Sequence, residues 1–489
     1  NQVWVGAPRQ NGHGSAYTFS RHPGDSVWSA VERITSKAAE RGDAFGGNLA
    51  VRGNLAAISM TSDDNGLGTV VVFERSNNIW RETAVLKVAE ERYASVTGKK
   101  ADCTDGKASN FECRDYDLVS FLSVPDLGGA RGTRLSGNWG WTDPETNREY
   151  ALIGRSDGTS FIDVTNAEKP VYLGDLPRTE GANTSSWREI KTYKNWALIV
   201  SDGSGQHGIQ FFDLTRLRNL KAPVKFQPDH TYKNLASIHN IVVNEEAGLA
   251  AAVGANGGGE TCGGGLHMLD IKDPKNPSFV GCFADAQTGR ASTGYSHDAL
   301  CLTYRGPDQD YKGREICLGS NETKLSIADV TDKKAPKAIA RAGYPSVGYS
   351  HQGWYDAEQR YFYMNDELDE TGGLVKNTRT IIWDLADLDD PQVVGEFMGT
   401  TEASDHNLYV VGNLMYQSNY LAGLRVIDIT DRKNPVEVGF FDTVPYGTNT
   451  PGFGGSWNNY PFFKSGNIMI SSGAEGMFMV RKKAPKVVS

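Results

Sequence analysis

Residues 425–435 read RVIDITDRKNP: an apolar pair, an aspartate, another apolar residue, a polar turn and a proline. The same phrase returns as SFIDVTNAEKP (160–170), QFFDLTRL (210–217), HMLDIKDPKNP (267–277), SIADVTDKKAP (326–336) and IIWDLADLDDP (381–391). Its aspartate falls at 163, 213, 270, 329, 384 and 428. β-Branched and aromatic residues running into a proline-containing turn predict a strand and its exit. Recurrence every ~45–60 residues predicts radial β repetition, because one four-stranded unit cannot bury both of its faces alone. The expected fold is all-β: a seven-bladed β-propeller of four-stranded antiparallel blades.

Working outward from the phrase, each unit parses into four strands. In the unit opened by His406 these are HNLYVVGN, LMYQSNY, LRVIDIT and PVEVGFFDT. The other units open near Trp139, Trp187, His239, His297, His351 and Trp457. The last lacks a fourth strand, and DLVSFLSV (117–124), upstream of the first unit, has that strand's character. Pairing of this segment with Phe478–Val480 is expected to close the ring, since an open last blade would leave a bare sheet edge.

Composition agrees. The chain of 489 residues carries 55 glycines and 30 Trp plus Tyr, which suits tight turns between packed blades. A formal net charge of −9 without a basic run argues against a nucleic-acid partner. No apolar stretch approaches the ~18 residues of a transmembrane helix. The sequence opens on Asn1, compatible with an export signal already removed. Six cysteines formally allow 15 connectivities. Their placement in the blades favours three local pairs, Cys103 with Cys113, Cys262 with Cys282 and Cys301 with Cys317, and hence an oxidising compartment. The alternative is six buried thiols in a reducing one; no CxxC or Cys/His zinc spacing is present. Asn183 and Asn321 fit the N-glycosylation pattern.

Residues 1–89 differ in kind. VWVGAPRQNGHGSAYTF and DAFGGNLAVRGNLAAISM, followed by TSDDNGLGTVVVFER, resemble FG-GAP repeats, the blade type of integrin α-subunit propellers. The resemblance covers about one and a half blades and implies further blades, a partner or self-assembly to cover them. The turn at Asp63, Asp64 and Asn65 is a candidate calcium site, shorter in acidic residues than the family's loop, with a plain solvated turn as the alternative. Residues 90–114 read as a disulfide-clipped linker, 115–483 as the propeller and 484–489 as a tail.

Across 115–481 a second resemblance is specific, because it covers every unit in order. The segments WGWTDPETNREYALIGRSDGTSFIDVT, SSWREIK, CGGGLHMLDI, GREICLGSNE, YSHQGWY, DHNLYV and SWNNYPFFKSGNIMISS resemble the choice-of-anchor B family of LVIVD repeats. That resemblance implies an exported or surface-displayed propeller held by varying C-terminal anchors, without an assigned activity. No anchor is recognisable after Lys483, a departure from the pattern.

Topology then gathers chemistry. Residues that open the innermost strands, and the loops between second and third strands, share one mouth of the central channel. Four adjacent units open on His239, His297, His351 and His406, followed by Asn240, Asp298, Gln352 and Asn407, beside loops carrying Asp157, Asp202, Glu322, Asp366, Glu367 and Glu475. Converging imidazoles with Asp366 and Glu367 would suit zinc, manganese or copper. Alternatively each imidazole caps its strand by bonding a neighbouring blade's backbone, which repetition alone would perpetuate. The DELDE run 366–370 could take calcium or stand as a solvated loop. The repeated strand-end aspartates read as turn devices. No GxSxG, P-loop or HExxH occurs, and no organic cofactor is expected. The preferred expectation is an extracellular or cell-surface binding module for a protein or glycan; the alternative is a metal-dependent lyase or hydrolase at the histidine mouth.

Overall fold

The computed structural model describes residues 2–87 and 93–484, and leaves the side chain of Asn65 undescribed. The proposed tail beyond 484, and residues 90–92 of the proposed linker, lie outside the described residues. Two compact units divide the chain, one of residues 1–92 and 130–133, the other of 93–129 and 134–489.

In the smaller unit, strands Gln2–Ala7, Ser15–Ser20 and Ser29–Ile34 form one antiparallel sheet, and Phe45–Arg52, Leu55–Met60, Thr69–Ser76 and Ile79–Lys87 form another. Phe45, Ile58, Val71, Phe73 and Trp80 fill the space between them. The glycines of the two FG-GAP-like phrases meet there. A Cβ on Gly6 would fall 2.0 Å from the carbonyl oxygen of Gly46, an approach only glycine permits. The Asp63–Gly66 turn is a short helical turn. Asp64 pairs with Lys87 at 2.9 Å and with Arg131, while Asp63 accepts from the Thr69 hydroxyl. These carboxylates face cations already, so the turn presents little uncompensated charge to calcium.

The larger unit is built around four-stranded antiparallel sheets, each unrolling outward from an inner strand, two of them gaining further strands at the outer edge, where Val224–Lys225 runs parallel in one. The inner strands are Leu135–Thr142, Arg188–Tyr193, Asn240–Asn244, Asp298–Thr303, Ser350–Tyr355, Leu408–Val411 and Ser456–Tyr460. Each packs on the inner strand of the next sheet, and the last packs on the first. The arrangement is propeller-like. Middle strands are covered on both faces, so they read as unbroken apolar or small runs; every residue of Gly158–Asp163 and of Glu315–Ser320 is buried. Outer strands such as Ser278–Phe283 are half-exposed and tolerate mixed residues.

The aspartate of the repeated phrase does the same work in each sheet. The carboxylates of Asp163, Asp213, Asp270, Asp329, Asp384 and Asp428 accept from the backbone N–H two residues on, at 2.7–3.1 Å. This Asx turn ends the third strand and starts the turn. Opposite it, the outer strand carries a β-bulge in five sheets. At one bulge, a Cβ on Gly281 would lie 1.7 Å from the Lys333 carbonyl of the next sheet's turn, so glycine lets neighbouring sheets nest.

Closure follows the expected pairing. Tyr116–Ser123 runs antiparallel to Gly476–Lys482, with Phe121 opposite Phe478 and their rings 4.5 Å apart. All three disulfides join the expected partners, and they suit an oxidising environment. No described helix is long and apolar enough to cross a membrane. The segment 93–114 does more than link. Val96 and Ala101 pair with Phe121 and Leu118, and Lys107–Ala108 with Phe111–Arg114 extends the sheet edge at Phe440 and Phe441. Asn321 is buried with its amide donating to Thr288 at 2.7 Å, so it is closed to glycosylation, whereas Asn183 is exposed.

Candidate functional site

Each histidine is held where an inner strand begins. The backbone N–H groups of His239, His297 and His406 donate to the carbonyls of Val253, Ser320 and Ser418 at the end of the adjoining second strand, while His351 lies within Ser350–Tyr355. The four rings form a contiguous arc, with centroids 4.0 Å from His239 to His297, 4.2 Å to His351 and 4.5 Å to His406.

Their second bonds define the chemistry. Nδ1 of His297 faces the carbonyl of His351 at 3.2 Å, Nδ1 of His351 faces that of His406 at 3.0 Å, and Nδ1 of His406 faces that of Trp457. Nδ1 of His239 meets the Asp202 carboxylate at 3.0 Å. A carbonyl or carboxylate only accepts, so each Nδ1 carries the hydrogen. In the neutral rings, Nε2 is therefore left with its lone pair, the orientation that metal-ligating imidazoles adopt when their other nitrogen is anchored. The anticipated capping bond exists, and it leaves the ligating nitrogen available.

Glu367 supplies the carboxylate. Its Oε2 lies 3.7 Å from Nε2 of His351 and its Oε1 lies 3.8 Å from Nε2 of His406. Donor atoms of His297, His351 and Glu367 all fall within 4.8 Å of one another. Ligands ~2.1 Å from one ion are themselves separated by about 3–4 Å, so small movements would suffice. Nε2 of His351 is buried without a hydrogen-bond partner among the described residues. The Tyr420 hydroxyl donates to Glu367 at 2.5 Å and steadies it.

Electrostatics keeps three of the four rings neutral. Burial, together with neighbouring imidazoles, holds His297 well below the usual histidine range and brings His351 and His406 down to about 3. At His239 burial works in the same direction, but the Asp202 carboxylate outweighs it and the value is raised; Asp202 is correspondingly lowered. The ring whose pKa is raised thus lies at the end of the arc farthest from His406.

Of the remaining sequence-predicted groups, several point elsewhere. Asp366 is fully buried, accepting from the Tyr344 hydroxyl at 2.8 Å and the backbone N–H groups of Gly348 and Tyr349 at 2.7 and 2.5 Å, so it ties loops together instead of joining the imidazoles. The DELDE run is accordingly no solvated loop, because strand Tyr361–Asp366 carries it inward. Glu322 accepts from the Arg290 N–H, Asp157 pairs with Arg155, and Glu475 accepts from Tyr446. Gln352 bridges sheets through both backbone groups of Leu408, and Asp298 is raised to about 7 by burial, partly offset by Lys191. Two further groupings offer less: Cys262 and Cys282 beside Glu260 are joined in a disulfide, and Asp387 and Asp389 are exposed while Asp308, half-buried, already accepts from the Leu388 N–H.

The phenols around the arc were not singled out from sequence. Tyr349 stands edge-on to His297 at 5.1 Å, and Tyr420 and Trp457 flank His406 at 4.8 and 4.7 Å. A signal existed: Gly-Tyr-Ser-His occurs twice, at 294–297 and 348–351. Beside Trp457 opens a cleft of about 420 Å³ lined by Leu421, Val444, Tyr446, Phe453 and Trp457, with Arg134 and Glu475 at its polar side.

Sheets and site together define a propeller-like all-β protein with a contiguous arc of four histidines where inner strands begin. No family model and no curated protein matches the chain. Among solved structures it is similar to a Lactobacillus plantarum protein at 11% identity, covering 69% of this chain and 88% of that one, with a TM-score of 0.45. A computationally designed protein, Ika8, shares 9% identity over 88% of this chain and 94% of its own, with a TM-score of 0.41. A Bacteroides fragilis protein provisionally named a 6-phosphogluconolactonase shares 12% identity over 69% and 86%, with a TM-score of 0.43.

Proposed function

We propose that this chain is an exported seven-bladed β-propeller of the choice-of-anchor B type that binds a surface ligand at one mouth through a divalent transition ion. Nε2 of His297, His351 and His406 with Glu367 would hold the ion, and three imidazole nitrogens with one carboxylate suit zinc or copper first and manganese after them. The observation that carries this reading is the anchoring of every Nδ1 on an acceptor, which leaves Nε2 ready to ligate next to a carboxylate. The neighbouring aromatic cleft favours a glycan over a flat protein partner, since Trp457, Phe453 and Tyr446 offer stacking faces beside Arg134 and Glu475.

The test uses untagged protein secreted from an oxidising compartment. Elemental analysis after zinc or copper titration is expected to find about one equivalent, and His297→Ala with His351→Ala to abolish it. Glycan-array binding should fall on chelation. A folded wild-type protein that takes up neither metal overturns the proposal.

A metal-dependent enzyme, lyase or hydrolase, is the second reading, favoured by the Tyr420 hydroxyl placed on Glu367 as a proton donor. Turnover of a sugar or ester that is lost on chelation and in Tyr420→Phe would establish it in place of simple binding.

A further inference from the structure

Behind the mouth, between the sheets opened by Ser350–Tyr355 and Leu408–Val411, lies a second knot of charge that the histidines do not use. Asp369, Glu370 and Asp405 are 0%, 4% and 0% exposed. Asp369 and Glu370 are neighbours within hydrogen-bonding reach, and both, with Asp366, act electrostatically on Asp405. Arg379 answers part of this charge. Its Nε donates to Asp369 at 2.8 Å, its backbone N–H donates to Glu370 at 3.1 Å, and its outer nitrogens are taken by Glu396, Pro345 and Ser346. One guanidinium cannot neutralise three carboxylates; Asp369 and Glu370 face one another closely enough to share one proton, which leaves both oxygens of Asp405 without any partner. The adjacent Ser404 hydroxyl is likewise buried and unpartnered.

A buried carboxylate without a donor costs several kcal/mol unless a proton or a cation meets it. Two features favour a cation. The carboxylate oxygens on offer are all hard donors, and they come from two separate segments, the turn 366–370 and the stretch before His406, so one ion would tie those segments together. We infer that Asp369, Glu370 and Asp405 form a calcium site that is independent of the histidine arc. Calcium fits better than magnesium, which insists on octahedral geometry and retains water. The three carboxylates do not all lie within single-ion distance of one another as described, so calcium binding draws Asp405 toward the Asp369–Glu370 pair.

The experiment is differential scanning calorimetry with titration calorimetry on the whole secreted protein, in calcium, magnesium or EGTA. Calcium at ~100 times its Kd is expected to raise the unfolding midpoint by about 3 °C, with magnesium doing much less. Asp405→Asn should lose that shift, and Glu370→Gln provides a second variant should the first not fold. His297→Ala with His351→Ala should keep the calcium shift, which separates this site from the mouth. An unaltered wild-type midpoint in calcium, with Asp405→Asn more stable than wild type, would show protons instead of an ion on these groups and overturn the inference. Loss of the calcium shift in the double-histidine variant would equally overturn its independence.

Discussion

His351→Asn separates the two jobs of one imidazole. The ring anchors on the His406 carbonyl through Nδ1 and presents Nε2 to Glu367. Asparagine can still donate to that carbonyl, and the carbonyl also accepts from Asn365 at 2.7 Å, so it is not orphaned either way. The stability cost is then one rearranged hydrogen bond, about 1 kcal/mol. With an unfolding entropy near 2.1 cal/mol/K per residue and the larger unit of roughly 390 residues, that is about 1 °C in the melting midpoint. Loss of a ligating nitrogen should by contrast weaken zinc or copper binding by at least ~100-fold, beyond what outer partners of a site contribute. Scanning calorimetry and competitive metal titration on the same preparation read both quantities. Unchanged metal affinity in His351→Asn would refute the ligand role, and a midpoint lowered by more than about 5 °C would show the ring to be chiefly structural.

Other expectations can be checked in parallel. His207 is buried against Arg188, and burial with that guanidinium brings it down to about 3. The unfolded chain therefore takes up a proton below pH ~6.5 that the folded chain refuses, so this group's contribution is whole above that value and lost at ~1.4 kcal/mol per pH unit toward 3. Denaturant midpoints of His207→Gln across pH 6 to 4 should show a shallower loss than wild type, and parallel curves would contradict the reasoning. Phe478 packs on Phe121, Phe111 and Phe441 at the closing strand; its change to alanine should cost about 3–5 kcal/mol, with thermal melting as the readout. Asp329→Ala should lose ~1 kcal/mol with the Asx turn on Thr331, while Asp329→Asn keeps most of it; equal losses in the two would show that the Arg314 pairing matters more.

What the sequence disclosed, and what it hid, divides along a physical line. Alternation and repetition belong to the backbone, so the phrase ending in Asp428 announces a strand, an Asx turn and a bulged neighbour wherever it recurs. Cross-strand cysteines are equally legible, because Cys301 and Cys317 fall opposite one another once the two strands are aligned. Side-chain direction within an irregular loop is another matter. Asp366 and Glu367 are adjacent, yet one folds back onto Tyr344 and Gly348 while the other reaches His351 and His406. Nothing in their spacing separates them, because the choice depends on where strand Tyr361–Asp366 ends. Asp405 escaped notice for a similar reason: its partners Asp369 and Glu370 arrive from another sheet.

The arc also explains why four of the inner strands open on histidine and the others do not. Three of the imidazoles, His297, His351 and His406, place Nδ1 on a carbonyl one sheet ahead, the acceptors being His351, His406 and then Trp457, whose carbonyl serves although its side chain cannot continue the series, whereas His239 at the start of the arc turns back to the Asp202 carboxylate. Beyond Trp457 the same strand ties to the next by a different device, the reciprocal bonds of Asn138 and Asn458, each amide donating to the other's carbonyl at 2.9 Å. Indole Nε1 of Trp457 meanwhile donates to Glu189 at 3.1 Å, and its ring, 4.7 Å from that of His406, also lines the aromatic cleft. A ligand bound here would therefore meet donors for an ion and a stacking surface, both next to Trp457. That arrangement predicts that Trp457→Ala weakens glycan binding in the array while leaving metal stoichiometry intact, and loss of both together would mean that the cleft and the arc are one site.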